Sequence, residues 1–192
     1  MPLINKYLDL KDKLTVATED GKMHLLYDDN PMRIQTPLMY IPFGCRQYTG
    51  KYDTVTCTLD LSLRGHDEED SACFKFKEWY KELEQQLIDK TELPEGSFNS
   101  SLKNDNGAFP PCLRVKPPVE DGMLTSPVWL EHDEKPTTIY GNLDLKFKGN
   151  TAIAIITPLL YKLPQGMWGI SWKVEQLRVF EPRRAQGFMF LE

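Results

Sequence analysis

Residues 51–64, KYDTVTCTLDLSLR, set apolar and polar side chains in strict alternation. Val55, Cys57, Leu59, Leu61 and Leu63 fall on one face, with Thr54, Thr56, Thr58, Asp60 and Ser62 on the other. A period of two over that length predicts a long, half-buried strand, and a strand that long suits the curved wall of a small barrel. The period changes over residues 71–90. There Phe76, Trp79, Tyr80, Leu83, Leu87 and Ile88 recur at helical spacing, opposite Lys77, Lys81, Glu82, Glu84 and Gln85. This predicts one amphipathic helix, N-capped by Asp70 or Ser71, with its aromatic stripe packed on a sheet rather than offered to a ligand.

The remaining pattern is shorter and more broken. Turn chemistry at Asp20-Gly21 and Asp28–Pro31 brackets His24–Tyr27, which reads as a short strand or hairpin edge. Arg33–Ile41 reads as a strand with Pro37 at an edge or bulge, stopped by Pro42-Phe43-Gly44. Pro110–Pro118, bracketed by prolines, is expected at a sheet edge with Arg114 and Lys116 on one face. Residues 91–107 and 120–136 read as loops, the second holding a short strand at Val128–Leu130, and Ile139–Lys148 alternates weakly. Thr151–Leu163 is apolar on both faces, as a central strand with Pro158 at a bulge. A turn at Gln165-Gly166 joins it to Met167–Phe180, where Trp168, Ile170, Trp172 and Val174 share a face. Leu177 and Val179 then take over the apolar role, and this change of phase at Glu175-Gln176 predicts a β-bulge.

These elements make a mainly β protein: a small antiparallel OB-like barrel with one amphipathic capping helix and long loops. A jelly roll or immunoglobulin-like sandwich needs about seven or eight strands, a count for which the loop segments leave room. Residues 1–32 are expected as a peripheral N-terminal segment, 33–181 as the barrel domain and 182–192 as a C-terminal extension.

Composition narrows the function. The 192 residues, 41% hydrophobic and 27% charged, suit one folded domain. No apolar run approaches the ~18–20 residues that span a bilayer, so no membrane partner is expected. A net charge of −5 argues against a generally basic nucleic-acid binder. Charge is uneven, however. Lys146, Lys148, Lys162, Lys173, Arg178, Arg183 and Arg184 are opposed over residues 146–184 by only Glu175 and Glu181. Salt screens charge beyond roughly 8–10 Å, so an acidic chain can still present one positive groove. Cys45, Cys57, Cys73 and Cys112 have neither CxxC nor zinc-site spacing, and with no secretory pattern in MPLINKYLDLKDK they are expected as buried thiols. The run His66–Asp70 reads as a solvated loop before the helix, and Asn99-Ser100-Ser101 as a sequon without a role. No cofactor is expected. Glu131, His132, Asp133 and Asp144 are not spaced as an acid–base site, so no enzyme is expected either.

An ordered set of phrases then resembles a known family. Gln35–Gly44 (QTPLMYIPFG) is similar to a TP-hydrophobic-PFG signature, followed by the strand ending Leu59–Leu63 and a helix with Phe76, Leu83 and Leu87. Gly169–Val179 (GISWKVEQLRV) looks like a closing strand of the form G-x-S-W-x-V-x-Q-hydrophobic-x-V. From Ile34 to Val179 the set resembles the OB-fold single-stranded DNA-binding proteins of large nucleocytoplasmic DNA viruses, a family related to the podophage single-stranded DNA-binding protein. The resemblance implies sequence-independent binding of single-stranded DNA in support of viral DNA replication, recombination or repair. It also implies replication proteins and a homo-oligomer among the partners, and an intracellular place in host cytoplasm or nucleus, with packaging in the virion allowed. Arg183–Glu192 lacks the long acidic tail that recruits partners in phage and bacterial relatives. A viral structural or scaffold protein using the barrel for protein contacts is the alternative.

Binding a single strand without sequence preference takes a positive groove and aromatic faces on which bases stack. Arg114, Lys116, Lys146, Phe147, Lys148, Tyr161, Lys162, Trp168, Lys173 and Arg178 are the expected contacts, with Arg46, Lys51 and Tyr52 along the opposite lip. Trp172 shares its face with Ile170 and Val174 and reads as core. Trp168 beside the turn reads either way, and so does Phe147, which alternates with lysines. Tryptophan quenching on oligo-dT is the expected signal.

Overall fold

The computed structural model describes residues 10, 12–50, 55–91, 93–103, 107–137 and 147–181. The chain begins with β1 (Leu14–Glu19), β2 (Lys22–Tyr27) and β3 (Asn30–Pro31), an antiparallel sheet of its own. Its turns use Asp20, Asp28 and Asp29 in left-handed backbone, where a short polar side chain is tolerated. Leu14, Leu25, Tyr27 and Met32 from this region are buried with the main core.

The segment read as one strand over Arg33–Ile41 is two, β4 (Ile34–Gln35) and β5 (Met39–Tyr40), because Pro37 can donate nothing to a ladder. Then come β6 (Cys45–Thr49), β7 (Val55–Ser62) and α1 (Ala72–Lys90). After α1 the 91–107 loop contains a 3₁₀ turn (Glu95–Ser97), β8 (Phe98–Asn99) and β9 (Leu102–Lys103). The chain continues through β10 (Cys112–Lys116), β11 (Val119–Glu120), β12 (Met123–Leu124) and β13 (Val128–Leu130). It closes with β14 (Thr151–Lys162) and β15 (Trp168–Phe180). Most of Ile139–Lys148 lies outside the described residues, as do residues 182–192.

Hydrogen bonding closes a circuit: β5 pairs β7, β7 pairs β10, β10 pairs β15, β15 pairs β14, and β14 returns to β5. Only the β10–β15 contact in that ring is parallel. Five strands joined this way form an OB-type barrel, as the pattern predicted. β10 is therefore central, which corrects its reading as an edge. Its prolines flank the strand instead of interrupting it, so Leu113 pairs with Leu61 and Arg114 with Asp60. The bulge lies where the phase changes: Ile155 faces Gln176, Ile156 faces Val174, and Glu175 is the extra residue. Pro158 is no bulge. It stays in register with Trp172, at a stretch where β14 pairs with β15 alone among the described strands.

The barrel interior is filled by Leu59, Leu61, Leu113, Val115, Ala152, Ala154, Ile156, Ile170, Trp172 and Val174, each at most 1% exposed. Burying each larger side chain contributes roughly 1.5–3 kcal/mol. Helix α1 is capped by Ser71, whose Oγ accepts from the Phe74 amide at 2.9 Å. It buries Cys73, Phe76, Trp79, Tyr80, Leu83 and Leu87. Its phenol at Tyr80 accepts from the Trp172 indole N–H at 2.7 Å and is hydrogen-bonded to Ser101. Helix, closing strand and the 91–103 loop are thus tied at one buried point.

Candidate nucleic-acid interface

Alternation decides what the outer wall of the barrel presents. β7 sends Leu59 and Leu61 inward, leaving Thr58, Asp60 and Ser62 outside; β10 sends Leu113 and Val115 inward, leaving Cys112, Arg114 and Lys116 outside. Two concavities lie along this wall. One, of about 590 Å³, is lined by Asn99, Ser101, Lys103, Arg114, Lys116 and, from the β14–β15 hairpin, Leu159, Tyr161, Leu163 and Ile170. The other, of about 600 Å³, is lined by Tyr40, Phe43, Asp60, Arg64, Lys103, Phe109 and Arg114. Lys103 and Arg114 line both, so the two form one trough along β7 and β10.

The cations there are held in different ways. Arg114 donates from Nε to Asp60 Oδ1 at 2.7 Å and from Nη2 to Oδ2 at 2.9 Å, a two-pronged pair across directly opposed residues. The Asp60 bond raises the Arg114 pKa, so its charge is permanent. Lys103 donates to Asn99 Oδ1 at 3.0 Å and to the Ser100 carbonyl at 2.6 Å. Burial, then the nearby Arg114 charge, lowers its pKa. Arg64 stacks over Tyr40 at 4.3 Å and Arg46 over Phe43 at 4.7 Å. Phe43 and Phe109 are 49% and 67% exposed, large apolar faces open to solvent at one end of the trough.

Tyr161 is positioned by a close approach of three strands. Its Oη accepts from Asn99 Nδ2 at 2.8 Å, and both residues oppose Gly169. A Cβ at Gly169 would lie 2.5 Å from the Asn99 carbonyl oxygen and 2.9 Å from Tyr161 Oη, so only glycine fits. The 99–101 stretch, read as an idle sequon, is a brace: Ser100 Oγ donates to Glu84 at 2.7 Å and Ser101 bonds Tyr80.

Of the expected contacts, the trough gathers Arg114, Lys116 and Tyr161. Lys173 pairs in register with Lys116 and is exposed beside it, 3.7 Å from Glu175. Arg46 reaches the trough through Phe43. Five of the expected contacts, Phe147, Lys148, Lys162, Trp168 and Arg178, lie away from the trough. Phe147 is 1% and Trp168 0% exposed, so neither offers a face to a base; Trp168 donates its indole N–H to the Pro94 carbonyl and meets Phe98 edge-on at 4.8 Å. Arg178 lines a separate cavity with Gln35 and Trp129, over Phe180 and against the Glu131 carbonyl. Lys162 alternates away from Tyr161 and Leu163, and Lys148 lines neither concavity. Lys51, Tyr52 and Lys146 lie outside the described residues. Reading the sequence missed Arg64, Lys103, Tyr40, Phe43 and Phe109. The aromatic in the PFG turn was the one available signal.

Among the described residues no three His, Cys, Asp or Glu side chains are grouped to hold a metal ion. No helix among them is long and apolar enough to cross a membrane. No family model matches the chain, and no curated protein matches it. Solved structures do. A single-stranded DNA-binding protein from bacteriophage Enc34, in complex with single-stranded DNA, aligns with a TM-score of 0.55 at 12% identity, over 92% of this chain and 99% of that one. A second structure of that protein gives 0.51 at 12% identity, over 94% and 97%. The gp2.5 single-stranded DNA-binding protein encoded by bacteriophage T7 gives 0.49 at 11% identity, over 81% and 90%. At such identities the likeness to the Enc34 structures is one of fold.

Proposed function

We propose that the chain is a sequence-independent single-stranded DNA-binding protein, serving the replication, recombination or repair of viral DNA. The observation that carries this reading is the trough: cations Arg64, Lys103 and Lys116 beside the exposed rings of Phe43 and Phe109 and the partly exposed ring of Tyr161, all on one wall of an OB-type barrel. That wall and its rimming loops are where this barrel type takes oligonucleotides. The binding unit is residues 33–181, flanked by 1–32 and 182–192. The kinship with the large DNA viruses' family, replication partners and an intracellular place belong to the same proposal.

Arg64, Lys103 and Lys116 form no ion pair among the described residues. Three such cations on a single strand give a slope of log affinity against log salt near about −2, at about 0.7 per phosphate neutralised. Labelled oligo-dT followed by anisotropy across a salt series measures this. Tryptophan quenching is the wrong signal, because Trp79, Trp168 and Trp172 are buried and the half-buried Trp129 lines the separate cavity with Arg178 rather than the trough. Lys116→Ala should shallow the slope by about 0.7. A wild-type chain that does not bind oligo-dT at low salt refutes the function.

A further inference from the structure

Asp60 poses a problem for any simple positive groove. A buried carboxylate sits in the middle of the trough, where it repels phosphate. Its two oxygens are both engaged by Arg114 through Nε and Nη2. The pair is close to neutral, so beyond a few ångströms its field is only that of a dipole, and a phosphate gains little by approaching it. What the fork does provide is a fixed plane. An arginine so held loses its freedom to swing toward a phosphate, while the faces of its guanidinium are left open. Arg114 is 37% exposed and lines both concavities, with Leu159 and Tyr161 in one and Phe43 and Phe109 in the other. Arginine planes held flat are surfaces on which unpaired bases stack.

We propose that Arg114 is a base-stacking platform and not a phosphate ligand, and that Asp60 is the positioning residue that holds it so. Resting on the single-strand-binding reading above, this divides the trough by chemistry. Arg64, Lys103 and Lys116 take the phosphates, and Arg114 carries a base between the two aromatic compartments.

The test compares wild type with Arg114→Lys and with the double variant Asp60→Asn/Arg114→Gln. The double variant removes both charges together, so no buried carboxylate is left unpaired. Each is titrated over a salt series with labelled oligo-dT and with an abasic oligodeoxynucleotide of the same length. Both variants should bind oligo-dT about tenfold more weakly. Both should bind the abasic strand as wild type does, and the salt slope of the double variant should be unchanged. Lys116→Ala should instead lose about 0.7 of slope on both strands. Arg114→Lys binding oligo-dT as tightly as wild type would overturn the proposal, and so would a double variant whose slope falls by about 0.7. Loss of all wild-type binding is a different failure, seen before any variant is made, and it removes the functional reading itself.

Discussion

Gly169 is where fold and site can be perturbed by one methyl group. It sits on β15 between Tyr161 of β14 and Asn99 of β8. The added Cβ of Gly169→Ala would meet the Asn99 carbonyl oxygen at 2.5 Å and the Tyr161 ring carbon Cζ at 3.1 Å. Carbon and carbonyl oxygen approach comfortably only to about 3.3 Å, so β8 must retreat by about 0.8 Å. A backbone oxygen cannot turn aside as a side chain can. Overpacking of this kind costs about 1–3 kcal/mol. In a chain of this size each kcal/mol lowers the melting temperature by about 2–4 °C, so a fall of about 4–8 °C is expected for the middle of that range. The same retreat moves Asn99 and Tyr161, which line the trough, and oligo-dT affinity should weaken by about threefold or more. Gly96→Ala is the control, since its Cβ would meet nothing within 4 Å, and it should stay within about 0.5 kcal/mol of wild type. Circular dichroism melts and anisotropy titrations read both effects. A Gly169→Ala chain that melts within about 1 °C of wild type would show that β8 is not seated on β15 as described.

Two further outcomes are expected. Trp168→Phe loses the N–H bond to Pro94 and part of the contact with Phe98, so unfolding free energy should fall by about 1–3 kcal/mol while oligo-dT affinity holds; a binding loss in a normally folded variant would restore Trp168 as a base platform. Burial, above all, raises the pKa of Glu84 in the fold. The folded chain therefore binds a proton at pH values where the unfolded one has released it, and the stability this gives is lost as pH rises through the folded value. Glu84→Gln, which imitates the protonated acid, should melt higher than wild type near pH 7, and the gap should close as pH falls below the ordinary glutamate value of about 4.3; a gap that widens on acidification contradicts the burial argument.

Where one rule governs a segment, the sequence could be read almost directly. Alternation through Leu59, Leu61 and Leu63, the helical stripe from Phe76 to Leu87, and the change of phase at Glu175 each follow from a single period and a single buried face. β10 was misplaced because a proline at each end looks the same from the sequence whether the strand between is central or at an edge. What decides is the neighbour on each side, and β15, more than fifty residues downstream by sequence number, is not visible to a local rule.

The site was harder for a related reason. Counting charge along the chain favours residues 146–184, but density in sequence is not density in space. Strand alternation sends Tyr161 into the trough and Lys162 away from it; the bulge at Glu175 keeps Lys173 and Arg178 both on the outer face, yet five residues of strand set Arg178 at a separate cavity while Lys173 stands beside Lys116. The trough draws its cations instead from the end of β7, from β9 and from β10, within residues 55–116, where 12 acids outnumber 8 bases. Arg114 was legible as an outward residue of β10, yet its role depends on Asp60, fifty-four positions away and read only as the polar half of an alternating strand. A binding face built from crossed strands is specified pairwise, by which residue stands opposite which, and that information enters the chain only when the barrel closes.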